Sequence, residues 1–135
     1  MAKYPRLYLE TDIIALYLLD DAGHTPLRNL LRTHTCYTGF PQIAELLQTC
    51  KTDDETKEVM SILSALRPLG FHPRYSVSLA RYLALVDEPE TGISIKDRYR
   101  VAMSATIAME SSLPIATRRY ESIYSRLEIP LAIIG

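Results

Sequence analysis

Hydrophobic and polar positions along the chain switch repeatedly between a strand-like and a helix-like spacing. Arg6 to Leu9 reads as a short buried strand, and Ile13, Leu16, Tyr17 and Leu19 then recur at helical spacing. Asp20 to His24 is a turn; Thr25-Pro26 offers an N-cap followed by proline at the first helical position, and Leu27, Leu30 and Leu31 carry the next helix. His34 to Thr38 is β-prone and ends at Gly39. Pro41 opens a helix to about Cys50, with Phe40, Ile43, Leu46, Leu47 and Cys50 on one face and Glu45 pointing the other way. Thr52 and Glu55 form a capping box ahead of Val59, Ile62, Leu63 and Leu66.

Pro68, Gly70 and Pro73 break the pattern, leaving room for only a short strand or turn at Phe71-His72. Leu79, Tyr82, Leu83 and Val86 mark another helix, and Asp87 to Ser94 is a surface loop. The helix from Asp97 to about Glu110 has almost no polar face, so it is expected to be buried on most sides. Leu113 to Ala116 reads as a strand, Tyr120 to Ser125 as a helical turn and Leu131 to Ile134 as a closing strand. Strands alternating with helices predict an α/β fold, a parallel sheet of about four or five strands flanked by helices.

Composition narrows the class. With 135 residues, the chain is long enough for one core without disulfide or metal staples, so residues 1–135 are expected to form a single domain. Hydrophobic residues at 47 % and charged ones at 23 % fit a soluble globular protein, and no apolar run is long enough to span a bilayer. Acids follow the amino terminus too soon for a secretory signal. Cys36 and Cys50 lack metal spacing and are too few for a disulfide framework, so a reducing cytoplasm is the expected compartment. The net charge of −1 argues against a generally basic nucleic-acid binder, yet basic residues cluster late in the chain.

The candidate chemistry lies at the turn after the first strand. Ligands of parallel sheets sit at the carboxyl ends of strands, and there Glu10, Thr11 and Asp12 supply two carboxylates and a hydroxyl. Such oxygen ligands suit magnesium or manganese better than zinc. On a helical wheel Asp97 lies over Val101, Ser104 and Ala108, where a carboxylate needs a partner. Each acid also has a plain structural reading: Glu10 as the anion at a helix start, Glu45 as a solvated side chain and Asp97 as a helix cap. The histidines lack zinc spacing, no serine or cysteine has a convincing catalytic partner, and there is no glycine-rich phosphate loop.

In this order the segments resemble the PIN domain, a nuclease family. Leu9-Glu10-Thr11-Asp12 is similar to the family's Leu-Asp-Thr-Asn motif after strand one. Ile43-Ala44-Glu45-Leu46-Leu47 resembles its middle motif, and Asp97-Arg98-Tyr99-Arg100-Val101-Ala102 its aspartate before an alanine-rich helix. The resemblance implies a metal-dependent endoribonuclease of three-layer α/β/α fold, with Glu10, Glu45 and Asp97 as catalytic acids. Mg2+ or Mn2+ would be held by Glu10, Asp12 and Asp97. Thr11, Thr117, Arg118 and Arg119 would contact RNA, with Lys96, Arg98, Arg100 and Arg126 as further phosphate contacts. It also implies a homodimer and, as for many compact members, the toxin of a toxin-antitoxin pair with a small antitoxin as partner.

The chain departs from the family at two acids. Glu10 stands where aspartate is usual, and in Leu113-Pro114-Ile115-Ala116-Thr117-Arg118-Arg119-Tyr120 the fourth acid is replaced by Arg119. At about 6 Å and an effective dielectric of about 20, one positive charge opposes a divalent ion by roughly 5 kcal/mol. Two alternatives therefore stay open beside the nuclease: a catalytically degenerate PIN-like module that binds RNA or a protein without cleavage, and an unrelated α/β fold with a small ligand.

Overall fold

The structure is a computed structural model, and it describes residues 5–19, 24–87 and 91–132, with the backbone alone for 17–19 and 24–26. In chain order the elements are β1 (Arg6–Leu9), α1 (Thr11–Leu19), α2 (His24–Thr33), β2 (Thr35–Gly39), α3 (Phe40–Gln48), α4 (Asp53–Leu63), β3 (Arg67–Leu69), a 3₁₀ turn (Pro73–Tyr75), α5 (Ser76–Val86), α6 (Ile95–Glu110), β4 (Ile115–Ala116) and α7 (Glu121–Arg126). The four strands pair in parallel in the order β3-β2-β1-β4. Each crossover passes through one or more helices, the connection that parallel neighbours require.

Period-two alternation in β1 divides the interior. Leu7 and Leu9 face Ile13, Ile14, Leu27, Leu46, Val59 and Ile62 on the α1–α4 side. Tyr8 faces the other way, into Tyr82, Val101, Ala105, Ile107 and Tyr124 from α5, α6 and α7, and Leu113 from the segment before β4. Both sheet faces are therefore covered, giving three layers and the near-continuous apolar strands of a doubly covered parallel sheet. Alanines 102, 105 and 108, all without exposed surface, let α6 lie close to the sheet.

One strand expectation is corrected. The third strand is Arg67–Leu69 rather than Phe71-His72, because Pro68 occupies an edge strand, where its missing N–H costs no ladder bond. Leu131, at the start of the expected closing strand, makes a parallel bridge to Ile115, and Ile133 and Ile134 lie outside the described residues, as do Asp20 to Gly23 of the expected turn and Glu88 to Glu90 of the expected loop. The helix expected to begin at Asp97 starts at Ile95 with Ser94 as its cap. Leu16, expected to fill the first helix's buried face, is 41 % exposed. Among the described residues no helix is long and apolar enough to cross a membrane.

Candidate functional site

Glu10 follows the last residue of β1, and its carbonyl accepts from the amides of Ile13 and Ile14, starting α1. The period-two alternation that turns Tyr8 toward α6 turns Glu10 the same way, and the residue is wholly buried. Every part of its carboxylate is engaged. Oε1 accepts from the Thr11 amide at 2.7 Å and from Gln42 Nε2 at 3.0 Å, and Oε2 accepts from the Tyr124 hydroxyl at 2.5 Å. Gln42 ties the pocket together further: its Oε1 accepts from the Tyr8 hydroxyl, and its Nε2 donates to Ser104 Oγ at 2.5 Å.

The cation of this pocket is Arg100. Its guanidinium places Nη1 2.6 Å from Glu10 Oε1, Nε 2.7 Å from Glu45 Oε2 and Nη2 3.3 Å from Asp97 Oδ1. The Tyr120 ring covers one face, 4.6 Å from the guanidinium carbon. Planarity and fanned donors let one arginine meet three carboxylates from three elements, which a point-like ammonium does poorly. Burial alone would pull the guanidinium pKa down, but Glu10, Tyr124, Glu45 and Tyr120 more than offset this and raise it above its ordinary value. Burial, then the charge of Glu10 and the hydrogen bond to it, hold the Tyr124 phenol well above its usual range.

The acids at the site thus play parts the sequence reading did not assign. Glu45 is no free solvated side chain: it pairs with Arg100 and accepts from the Thr11 hydroxyl at 3.4 Å. Asp97 lies in the first turn of α6, and its Oδ2 accepts from Ser94 Oγ at 3.1 Å. Asp12 reaches the loop after β4. Its Oδ1 accepts from the Thr117 hydroxyl at 2.9 Å, and its Oδ2 from the amides of Arg118 and Arg119 at 2.8 and 3.0 Å. Thr117 is buried by this contact, while the side chains of Arg118 and Arg119 are exposed, Arg119 resting 5.3 Å from the Tyr120 ring.

Glu10, Glu45 and Asp97 therefore come together around Arg100, while Asp12 is held by residues 117–119 and shares a groove with Glu45. The sequence reading placed Arg100 among the outward phosphate contacts and took Arg119 as the opposing charge; the structure buries Arg100 inside the acid cluster. It also missed Tyr8, Gln42, Ser104 and Tyr124. One cue for Arg100 was present, since it shares with Asp97, Val101 and Ser104 the helical stripe that turns inward.

Whether a divalent ion fits can be judged from the donors. Both Glu10 oxygens and both Asp12 oxygens already accept hydrogen bonds, and a guanidinium stands where the three acids converge. The guanidinium already fills the space between the three acids that a shared ion would need. Among the described residues no group of three histidine, cysteine or acidic side chains is arranged to hold a metal. Magnesium or manganese on Glu10, Asp12 and Asp97 does not fit this arrangement.

Beside the pocket runs an open groove of about 670 Å³ between α1, α3 and α4. Ala15, Leu16, Leu46 and Val59 give it an apolar floor. Asp12, Glu45, Glu55 and Glu58 make its rim acidic, with Arg119 the one basic lining residue among the described residues.

No protein-family profile matches the chain, and no curated protein matches it. Solved structures do. A chain of VapBC2 from Rickettsia felis, solved bound to a DNA fragment from their promoter, aligns at 16 % identity with a TM-score of 0.72, covering 94 % of this chain and 97 % of that one. VapBC-1 from nontypeable Haemophilus influenzae aligns at 13 % identity with a TM-score of 0.71, covering 94 % and 96 %. FitAcB from Neisseria gonorrhoeae gives 20 % identity, a TM-score of 0.67 and the same coverage. At such identities the likeness is one of fold, and the fold is PIN-like.

Proposed function

Starting from a PIN-like fold shared with toxin-antitoxin structures, we propose that this chain is a non-cleaving, toxin-like module that binds a protein partner. The observation carrying the reading is the Arg100 guanidinium seated among Glu10, Glu45 and Asp97. With a protein guanidinium seated between those acids, the space that a shared ion would take is filled by a side chain. The groove beside it supports a protein partner over RNA. Its rim of four acids repels a phosphate backbone, whereas an amphipathic segment with apolar residues on one face and Lys or Arg at its edges meets both floor and rim.

The test has two arms. Purified chain is incubated with structured RNA in Mg2+ and in Mn2+, and cleavage is expected to stay at the level of the Glu10→Gln and Asp97→Asn variants. A labelled amphipathic helix of Leu and Arg is expected to bind the wild type in a salt-dependent way and to lose affinity for Glu55→Lys/Glu58→Lys. Wild-type cleavage that both pocket variants abolish would instead establish the nuclease reading, with Glu10, Glu45 and Asp97 as its catalytic acids. Unchanged peptide binding after the double charge reversal would remove the groove from the account.

A further inference from the structure

We infer that Arg100 is the resident cation of this pocket, a covalently attached replacement for a divalent ion, so that the chain holds its acids together without metal. The inference deepens the non-cleaving reading and rests on it for the pocket's role, but it stands on its own geometry.

Three features support it together. First, three guanidinium nitrogens each meet a different carboxylate, one after β1, one on α3 and one on α6, so the arginine joins the elements a shared ion would join. Second, the cage is closed. The Arg100 side chain is 8 % exposed, Tyr120 lies over one face, and the remaining capacity of Glu10 goes to Thr11, Gln42 and Tyr124. Third, the anchoring is local to α6. Asp97 and Arg100 are one turn apart, Ser94 orients Asp97, and Ser104 donates to the Arg100 carbonyl at 2.7 Å. Glu45 and Asp97 keep part of their side chains exposed, and Glu10 is the fully buried member of the three.

The test uses Mn2+ alone, followed by calorimetry and by the loss of the free-ion electron paramagnetic resonance signal. Wild type is expected to bind no Mn2+ at this pocket and to melt at the same temperature with Mn2+ or with a chelator. Arg100→Met keeps an aliphatic stem of similar reach and removes the charge. It is expected to gain a single Mn2+ site at least about tenfold tighter than any wild-type binding, and Asp97→Asn in that background is expected to abolish it. If Arg100→Met does not fold, the wild-type titration still decides. Mn2+ binding by wild type that Asp97→Asn removes would overturn the inference, and so would a folded Arg100→Met with no gain. Failure of peptide binding at the groove would refute the partner reading and leave this inference intact, whereas Asp97-dependent Mn2+ binding by wild type would overturn it whatever the groove binds.

Discussion

Arg100 Nη1 lies 2.6 Å from Glu10 Oε1, both side chains almost fully withdrawn from water. Removing one member strands the other, which for a buried pair costs about 3–5 kcal/mol. Arg100→Leu and Glu10→Leu are each expected to lose stability in that range. The double variant is expected to lose clearly less than the sum, because the fully buried Glu10 carboxylate is no longer left without its cation. Urea unfolding of the three proteins measures the coupling, and strict additivity would mean that the pair is not a unit.

Asp12 is a second acid whose work is structural. It collects three donors from residues 117–119 and so fixes the turn from β4 into α7. Asp12→Ala leaves two amides and a hydroxyl to find new partners and is expected to cost about 2–3 kcal/mol. Asp12→Asn retains one good acceptor and is expected to cost less. Neither change should alter the response to Mn2+, so a metal-dependent difference between Asp12→Ala and wild type would return Asp12 to the role of ligand.

How far the residues announced these arrangements depends on which interactions set them. The layers were legible because local periodicity reports burial: Leu7 and Leu9 against Tyr8 in β1, and the alanine-rich stripe of α6, follow directly from spacing. The gathering of Glu10, Glu45 and Asp97 was implied by the family resemblance of their motifs, not by a local pattern. The direction of a long side chain was not legible. Arg100 faces inward because Asp97, Glu45 and Glu10 stabilise its charge from three separate elements, and no local pattern contains that sum. The edge strand at Pro68 was hidden for a similar reason: proline's cost depends on whether a neighbour needs its N–H, which only the sheet order decides.

Close packing under the pocket gives a further expectation. A Cβ built on Gly39 would collide with the Tyr8 hydroxyl and lie 3.1 Å from both Gln42 Oε1 and Ile107 Cδ1. Gly39→Ala is therefore expected to destabilise by about 1–3 kcal/mol through overpacking. Tyr8→Phe removes the obstructing oxygen, and in that background the cost of Gly39→Ala is expected to fall. Equal costs in the two backgrounds, read from unfolding midpoints at unchanged m-value, would show that the hydroxyl is not the obstruction.

Alkaline pH should destabilise this core. Burial raises the phenols of Tyr8 and Tyr124 above their ordinary range, and it pushes the Cys36 thiol up to about 11. A raised folded-state pKa means that the unfolded chain releases its proton first. The contribution to stability is whole below the unfolded value, near 10 for tyrosine, and is lost as pH climbs toward the folded one. Between those limits each tyrosine is expected to remove about 1.4 kcal/mol of stability per pH unit, with Cys36 adding its share from a lower starting point. Unfolding free energy measured from pH 8 to pH 11 should stay level and then fall, with a shallower fall in Tyr124→Phe and in Cys36→Ala. An identical slope in wild type and Tyr124→Phe would mean that this phenol titrates alike in both states, and that its contact with Glu10 does not hold the proton in place.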